Sequence, residues 1–138
     1  SNERLEFLGD AVLSFLTSQY LYGTYPDFPE GTLTNIRSSL VKTKTLSEAA
    51  KKLGLGDLLF LSRGEEDSGG RNNLTLLANS FEALTGAIFL DSGITTAQKF
   101  LGNFLIPSIN IVLQDQSYKD YKSRLQEQTQ RKIQKICR

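Results

Sequence analysis

The sequence predicts an all-α fold, a helical bundle. Apolar residues recur at helical spacing through most of the chain. No stretch alternates apolar and polar residues as a half-buried strand would, and neither an internal repeat nor a low-complexity tract competes with the helical pattern. Glycine and proline punctuate the chain at intervals that suit helices of ordinary length.

The first helix is expected over residues 2 to 22. Leu5, Leu8, Val12, Phe15 and Leu16 share a face, and Pro26 and Pro29 close the segment. A second helical region runs from Thr32 to Leu53, broken between Lys42 and Thr45 and stopped by Gly54. Leu55 to Leu61 reads as one further helical turn or two. Residues 62 to 73 combine three glycines with polar residues and read as a loop. Leu74 to Leu90 is a long apolar helix stopped by Asp91-Ser92-Gly93. Thr95 to Leu113 is expected to be another, with a break at Pro107, and Tyr118 to Ile136 a last, basic, amphipathic one.

Composition narrows the chemistry. The 138 residues include no histidine, which excludes an imidazole base or ligand supplied by this chain and disfavours zinc. The single Cys137 permits no intrachain disulfide and fits a reducing compartment. No run of 18 apolar residues occurs, so no membrane span is expected. Behind a net charge of +1 lies an asymmetry: residues 1–117 hold nine Lys/Arg against thirteen Asp/Glu, residues 118–138 seven against two. An acidic body and a basic tail are expected to do different work, although a basic helix is also what a merely solvated tail looks like.

Glu3, Glu6 and Asp10 stand at i, i+3 and i+7, one stripe of the first helix. Glu6 and Asp10 are like-charged i, i+4 neighbours, which opposes the helix by a few tenths of a kcal/mol. A cation between them would remove that cost, but acidic residues also complement a helix N-terminus without any cation. Glu82 sharpens the question, because it is the one charged residue between Arg71 and Asp91 in a helix apolar on nearly all sides. Such a carboxylate needs a positive partner or a metal. Asn79, three residues earlier, shares its face. Glu6, Asp10, Asn79 and Glu82 together offer only oxygen donors, a set that suits magnesium or manganese. A hydrogen-bonded Glu–Asn pair that simply joins two helices is the alternative.

The segment Asn2-Glu3-Arg4-Leu5-Glu6-Phe7-Leu8-Gly9-Asp10-Ala11-Val12-Leu13 closely resembles the signature of the ribonuclease III family. Phe81-Glu82-Ala83-Leu84 with Gly86-Ala87-Ile88 and Leu90-Asp91-Ser92-Gly93 resembles that family's second catalytic helix. Glu30-Gly31-Thr32-Leu33-Thr34, with Arg37 and Leu40-Val41, and the Gly64 to Arg71 stretch resemble the blocks between them. The resemblance implies a nuclease domain over 1–113 whose N-terminal helices precede this sequence, a linker over 114–120, and over 121–138 the start of a truncated double-stranded-RNA-binding domain.

By the same resemblance, Glu6, Asp10 and Glu82 fall on metal and catalytic positions, with Asp10 and Glu82 the catalytic pair. Asn79 stands where many members have aspartate, which removes a charge from the ligand set. Glu3 and Glu30 match peripheral acidic positions, and Phe7 an aromatic that plugs into the partner subunit, unless it is an ordinary core phenylalanine. The implied protein is a magnesium-dependent cytoplasmic homodimer, with manganese a substitute ion. It would hydrolyse double-stranded RNA to 5′-phosphate and 3′-hydroxyl ends, in ribosomal RNA and other RNA processing. Arg37, Arg63, Arg71 and the tail are candidates for holding the RNA backbone, or else plain surface charges. Two other classes compete: a double-stranded-RNA-binding or ribosome-associated scaffold with weakened or lost catalysis, favoured by Asn79, and a purely structural helical module, which leaves Glu82 unexplained.

Overall fold

The computed structural model describes residues 1–137, the side chains of Ser117, Tyr118 and Tyr121 excepted, so Arg138 at the end of the basic tail lies outside the described residues. The described residues form helices and turns with no strand: α1 (Glu3–Thr24), α2 (Glu30–Val41), α3 (Thr43–Lys52), α4 (Leu55–Leu58), α5 (Arg63–Asp67), α6 (Leu74–Phe104) and α7 (Ile109–Ile136). Tight three-residue turns at Gly70–Asn72 and Ile106–Ser108 join the later helices.

The all-α expectation is met, and the main helices follow the apolar spacing. α1 buries Val12, Leu13, Leu16 and Leu21 along one side, and α2 gives way to α3 at Lys42. Gly54 then takes the left-handed conformation (φ 70°) that a helix stop requires. α6 packs against both α1 and α3, and the three make the main core, centred on Leu13, Leu46, Leu77, Phe81 and Leu101. A second cluster joins Leu21 of α1 to Ile36 and Leu40 of α2 and to Ile109 and Val112 of α7. Burying each of these large side chains contributes about 1.5–3 kcal/mol.

α6 turns at Gly93, where φ is 86° and ψ 179°, a conformation open in practice to glycine alone. The turn brings residues 95–104 back onto the first half of the helix. Ala97 and Leu101 become buried, and Phe100 stacks on Phe81 at 5.4 Å between ring centres.

Three expectations are corrected. Residues 62–73 are not all loop: Ser62 and Glu65 form a reciprocal capping box, Ser62 Oγ accepting from the Glu65 amide at 3.2 Å and Glu65 Oε2 from the Ser62 amide at 2.9 Å. Those two bonds satisfy backbone donors that would otherwise be orphaned, and they nucleate α5. The helix expected over 95–113 does break at Pro107 as anticipated, but the break is a full stop, the helix ending at Phe104, because Pro107 at the start of the next turn lacks the amide hydrogen an unbroken helix needs. The last helix accordingly begins at Ile109 rather than Tyr118, and residues 114–120 lie within it.

Buried hydroxyls are mostly satisfied, as where Thr85 Oγ1 donates to the Phe81 carbonyl at 2.9 Å. Thr17 differs: its side chain is wholly buried and Oγ1 has no hydrogen-bond partner. Replacing it with an isosteric apolar residue removes an unpaid desolvation cost. Thr17→Val is expected to stabilise the protein by about 1 kcal/mol in urea denaturation; no gain would show that the hydroxyl is satisfied.

Candidate active site

The site is built on the crossing of α1 and α6. Gly9 in α1 and Gly86 in α6 are both buried, and each faces the other helix's backbone. A β-carbon on Gly9 would be driven into the Glu82 carbonyl and would lie 3.0 Å from the Gly86 nitrogen. A β-carbon on Gly86 would meet the Leu5 carbonyl and lie 3.0 Å from the Gly9 nitrogen. The two backbones can approach this closely because neither position has a side chain. Asp10 follows Gly9 directly, Glu6 lies one turn before Asp10, and Glu82 lies one turn before Gly86, so the crossing sets carboxylates from two helices beside one another.

Their electrostatics report that proximity. Glu82 is half-buried, and its carboxyl is pushed up to about 7, first by burial, then by the charge of Asp10 and a side-chain hydrogen bond with it, then by the charge of Glu6. Among the described residues the ion pairs are Arg71–Glu66 and Lys119–Asp115, so no cationic side chain relieves the three carboxylates. Held without a counter-charge, Glu82 instead retains a proton near neutral pH.

Glu6 and Asn79 are half-buried, and together with the exposed Glu3 they line a cavity of about 620 Å³ whose far side is residues 58–61. Glu30 is not brought there. It lines a separate groove of about 510 Å³ between α1 and α2, with Phe15, Tyr22 and Arg37. Among the described residues no three Asp, Glu, His or Cys side chains already stand together as a metal cage. The donors nonetheless fit a hard divalent cation: all are oxygens, they carry uncompensated negative charge, and Asn79 adds a neutral fourth.

Phe7 points into solvent, with 82% of its surface exposed, beside an apolar concavity lined by Leu5, Leu8 and Leu90. It is therefore no core residue of this chain. Arg37 donates to Ser18 Oγ at 3.0 Å, while Arg63 is exposed at the start of α5. Arg71 is committed to internal bonds, with Glu66 and with the carbonyls of Gly56 and Leu59. The glycine crossing escaped sequence reading although both glycines are visible, each in a motif beside an acidic residue. The pairing of positions 77 residues apart was the missing information.

Fold and cleft define a class: all-helical domains that gather oxygen donors across two closely crossed helices. Within that class the chain belongs to the Ribonuclease-III-like family, whose profile matches residues 1–109. It is 46% identical to Ribonuclease 3 of Treponema denticola over 136 residues, and 48% identical to that of Syntrophotalea carbinolica over 129. These alignments cover 99% and 94% of this chain but 55% and 56% of the relatives, so the chain spans about half the length of the curated proteins it matches. Among solved structures it resembles the nuclease domain of ribonuclease III from Campylobacter jejuni, with a TM-score of 0.75 and 38% identity over 76% of this chain and 73% of that one. Dicer from Pichia stipitis is also similar, with a TM-score of 0.60 and 29% identity over 80% of this chain and 53% of the other. Among the described residues no helix is long and apolar enough to cross a membrane.

Two predictions follow from the geometry. Gly9→Ala forces α1 and α6 apart and is expected to cost about 3 kcal/mol of stability in urea denaturation; stability within about 0.5 kcal/mol of the parent would refute the close crossing. The second concerns pH. A carboxyl raised on folding stabilises the fold below its ordinary value near 4.5, and that contribution is lost as pH rises through about 7. Without divalent cations, Glu82→Gln should therefore exceed the parent in stability at pH 8, by about 1 kcal/mol after solvent screening, and lose that advantage at pH 4.5. Equal melting temperatures at pH 8 would contradict the carboxylate clash.

Proposed function

We propose that this chain is the nuclease domain of a ribonuclease III, a magnesium-dependent endonuclease that hydrolyses double-stranded RNA. The observation that carries the reading is the convergence of Glu6, Asp10 and Glu82 at one helix crossing with no cationic side chain among them. Similarity to Ribonuclease 3 proteins over nearly the whole chain supports it.

In this reading Glu6, Asp10, Asn79 and Glu82 hold magnesium, with manganese a substitute, and Glu3 adds negative charge at the edge of the cleft. When bound, the ion would supply positive charge at the phosphate and lower the pKa of nearby water. Water adds to phosphorus as the bond to the 3′ oxygen breaks, leaving 5′-phosphate and 3′-hydroxyl ends. Glu82, whose carboxyl the fold pushes up to about 7, would have to give up its proton for the site to hold the ion. Affinity for the ion accordingly falls as pH drops below about 7. An unloaded cleft repels the RNA backbone, which makes the ion a condition of substrate binding as well as of chemistry.

One acidic cleft serves one strand, so cutting both strands of a duplex requires a two-fold pair of chains. The exposed Phe7 beside its apolar concavity is the anchor proposed for that homodimer. The structure reported for the Campylobacter jejuni nuclease domain is itself described through a region involved in dimer formation. Arg37, Arg63 and the basic tail are proposed to hold the duplex backbone, the tail as the beginning of a double-stranded-RNA-binding domain joined to the nuclease domain through the helical stretch 114–120 of α7. Ribosomal RNA maturation in the cytoplasm is the cellular role proposed.

The experiment is cleavage of an end-labelled RNA duplex of about 30 base pairs, with magnesium, with EDTA, and with Glu82→Gln. Both strands should be cut with magnesium and neither with EDTA, and the variant should lose at least about 100-fold in rate. Because that variant is expected to fold more stably without metal, its loss would not be unfolding. Retained cleavage by Glu82→Gln would sink the site, and duplex binding without any cutting by the parent would indicate a scaffold.

A further inference from the structure

Residues 58–61 line the cavity together with Glu6 and Asn79, and burial anchors only part of the segment, Leu59 and Leu61 being half-buried. The side chains of Leu58 and Phe60 are exposed, and beyond the single turn of α4 the segment has no regular backbone structure. What ties it down is Arg71. Its Nη1 donates to the Gly56 carbonyl at 2.9 Å and the Leu59 carbonyl at 3.1 Å, while Nε donates to Glu66 Oε1 at 3.0 Å. Gly56 permits the arrangement, since a β-carbon there would strike the Arg71 carbonyl. One planar guanidinium thus joins the wall to α5 and to the chain entering α6, the helix that carries Asn79 and Glu82. A lysine ammonium has no fork with which to hold three such acceptors in fixed directions.

We propose that Arg71 is a positioning residue rather than an RNA ligand: it holds residues 58–61 in place as a wall of the cavity lined by Glu3, Glu6 and Asn79, beside the α1–α6 crossing, and so sets how readily a duplex enters. The inference rests on the nuclease reading above. With the clamp removed, the wall loses its order and the cost of restoring it falls on substrate binding. The carboxylates themselves stay where the Gly9–Gly86 crossing puts them, so turnover of bound substrate is spared.

Steady-state cleavage of the duplex by the parent, Arg71→Ala and Arg71→Lys, at several salt concentrations, tests this. Both variants should raise KM about fivefold, with kcat within twofold and the slope of log affinity against log salt unchanged. A phosphate contact predicts instead that Arg71→Ala lowers the slope by about one and that Arg71→Lys restores affinity. That pattern, or an unchanged KM in folded Arg71→Ala, would overturn the proposal. Should both Arg71 variants fail to fold, Glu66→Gln, which weakens one of the three bonds, decides it: a KM increase of about twofold supports the clamp and none rejects it. The chain has no tryptophan, so Phe60→Trp gives an activity-independent report of the wall. Its fluorescence anisotropy should fall when Arg71→Lys is added, and an unchanged value rejects the clamp. A parent that neither binds nor cuts duplex would fail the nuclease reading, leaving the clamp to stand or fall on the anisotropy.

Discussion

Everything at the site depends on the backbone contact between α1 and α6 at Gly9 and Gly86. Helices normally pack with side chains between them, at 8–10 Å between axes. Here each glycine lies against the other helix's backbone, and residues one turn away on either helix are drawn together as a result. The main core on α1, α3 and α6 stabilises the pair, with Leu13, Leu77 and Phe81 almost fully buried around the crossing. Hydrophobic burial thereby does work against electrostatic repulsion. The folded chain holds Glu6, Asp10 and Glu82 in proximity that they would not choose in water.

That opposition accounts for the raised Glu82 carboxyl and for the proposed fit of a divalent ion. The three carboxylates have no lysine or arginine partner among the described residues, and Glu6 and Glu82 are half-buried while Asp10 is exposed. A proton neutralises one charge and lets Glu82 and Asp10 share a hydrogen bond; a doubly charged ion would neutralise two and satisfy several oxygens at once. Proton and ion compete for the same repulsion, so the affinity of one is tied to the concentration of the other.

Much of this was legible in the residues. The stripe of Glu3, Glu6 and Asp10 follows from helical spacing, and Glu82 is conspicuous as a lone charge in an apolar helix. What was not legible depends on distant pairing or on local competition. Neither glycine announces its partner across the chain. α5 was hidden because glycine-rich composition outweighed a Ser-x-x-Glu capping signal that was present at Ser62 and Glu65. Arg71, an arginine among polar residues, read equally as an RNA-backbone contact or a surface charge, and its three internal acceptors appear only in the structure. Phe7, by contrast, was legible: its place next to Glu6 put it off the core face, and it is exposed. Glu30, grouped with the acidic residues by resemblance, lines a different groove of this chain.

Asn79 fits the same balance. A carboxylate at that position would stand on the face of α6 that carries Glu82, where burial and two existing charges already hold a carboxyl near 7. A fourth negative charge would raise the cost of folding the metal-free protein and strengthen proton retention. An amide keeps an oxygen donor facing the cavity while adding no charge to that repulsion. The proposed site thereby exchanges some electrostatic attraction for the ion against a less strained unloaded state. The exchange has a physical basis because the crossing at Gly9 and Gly86 holds the helices that carry these carboxylates close together.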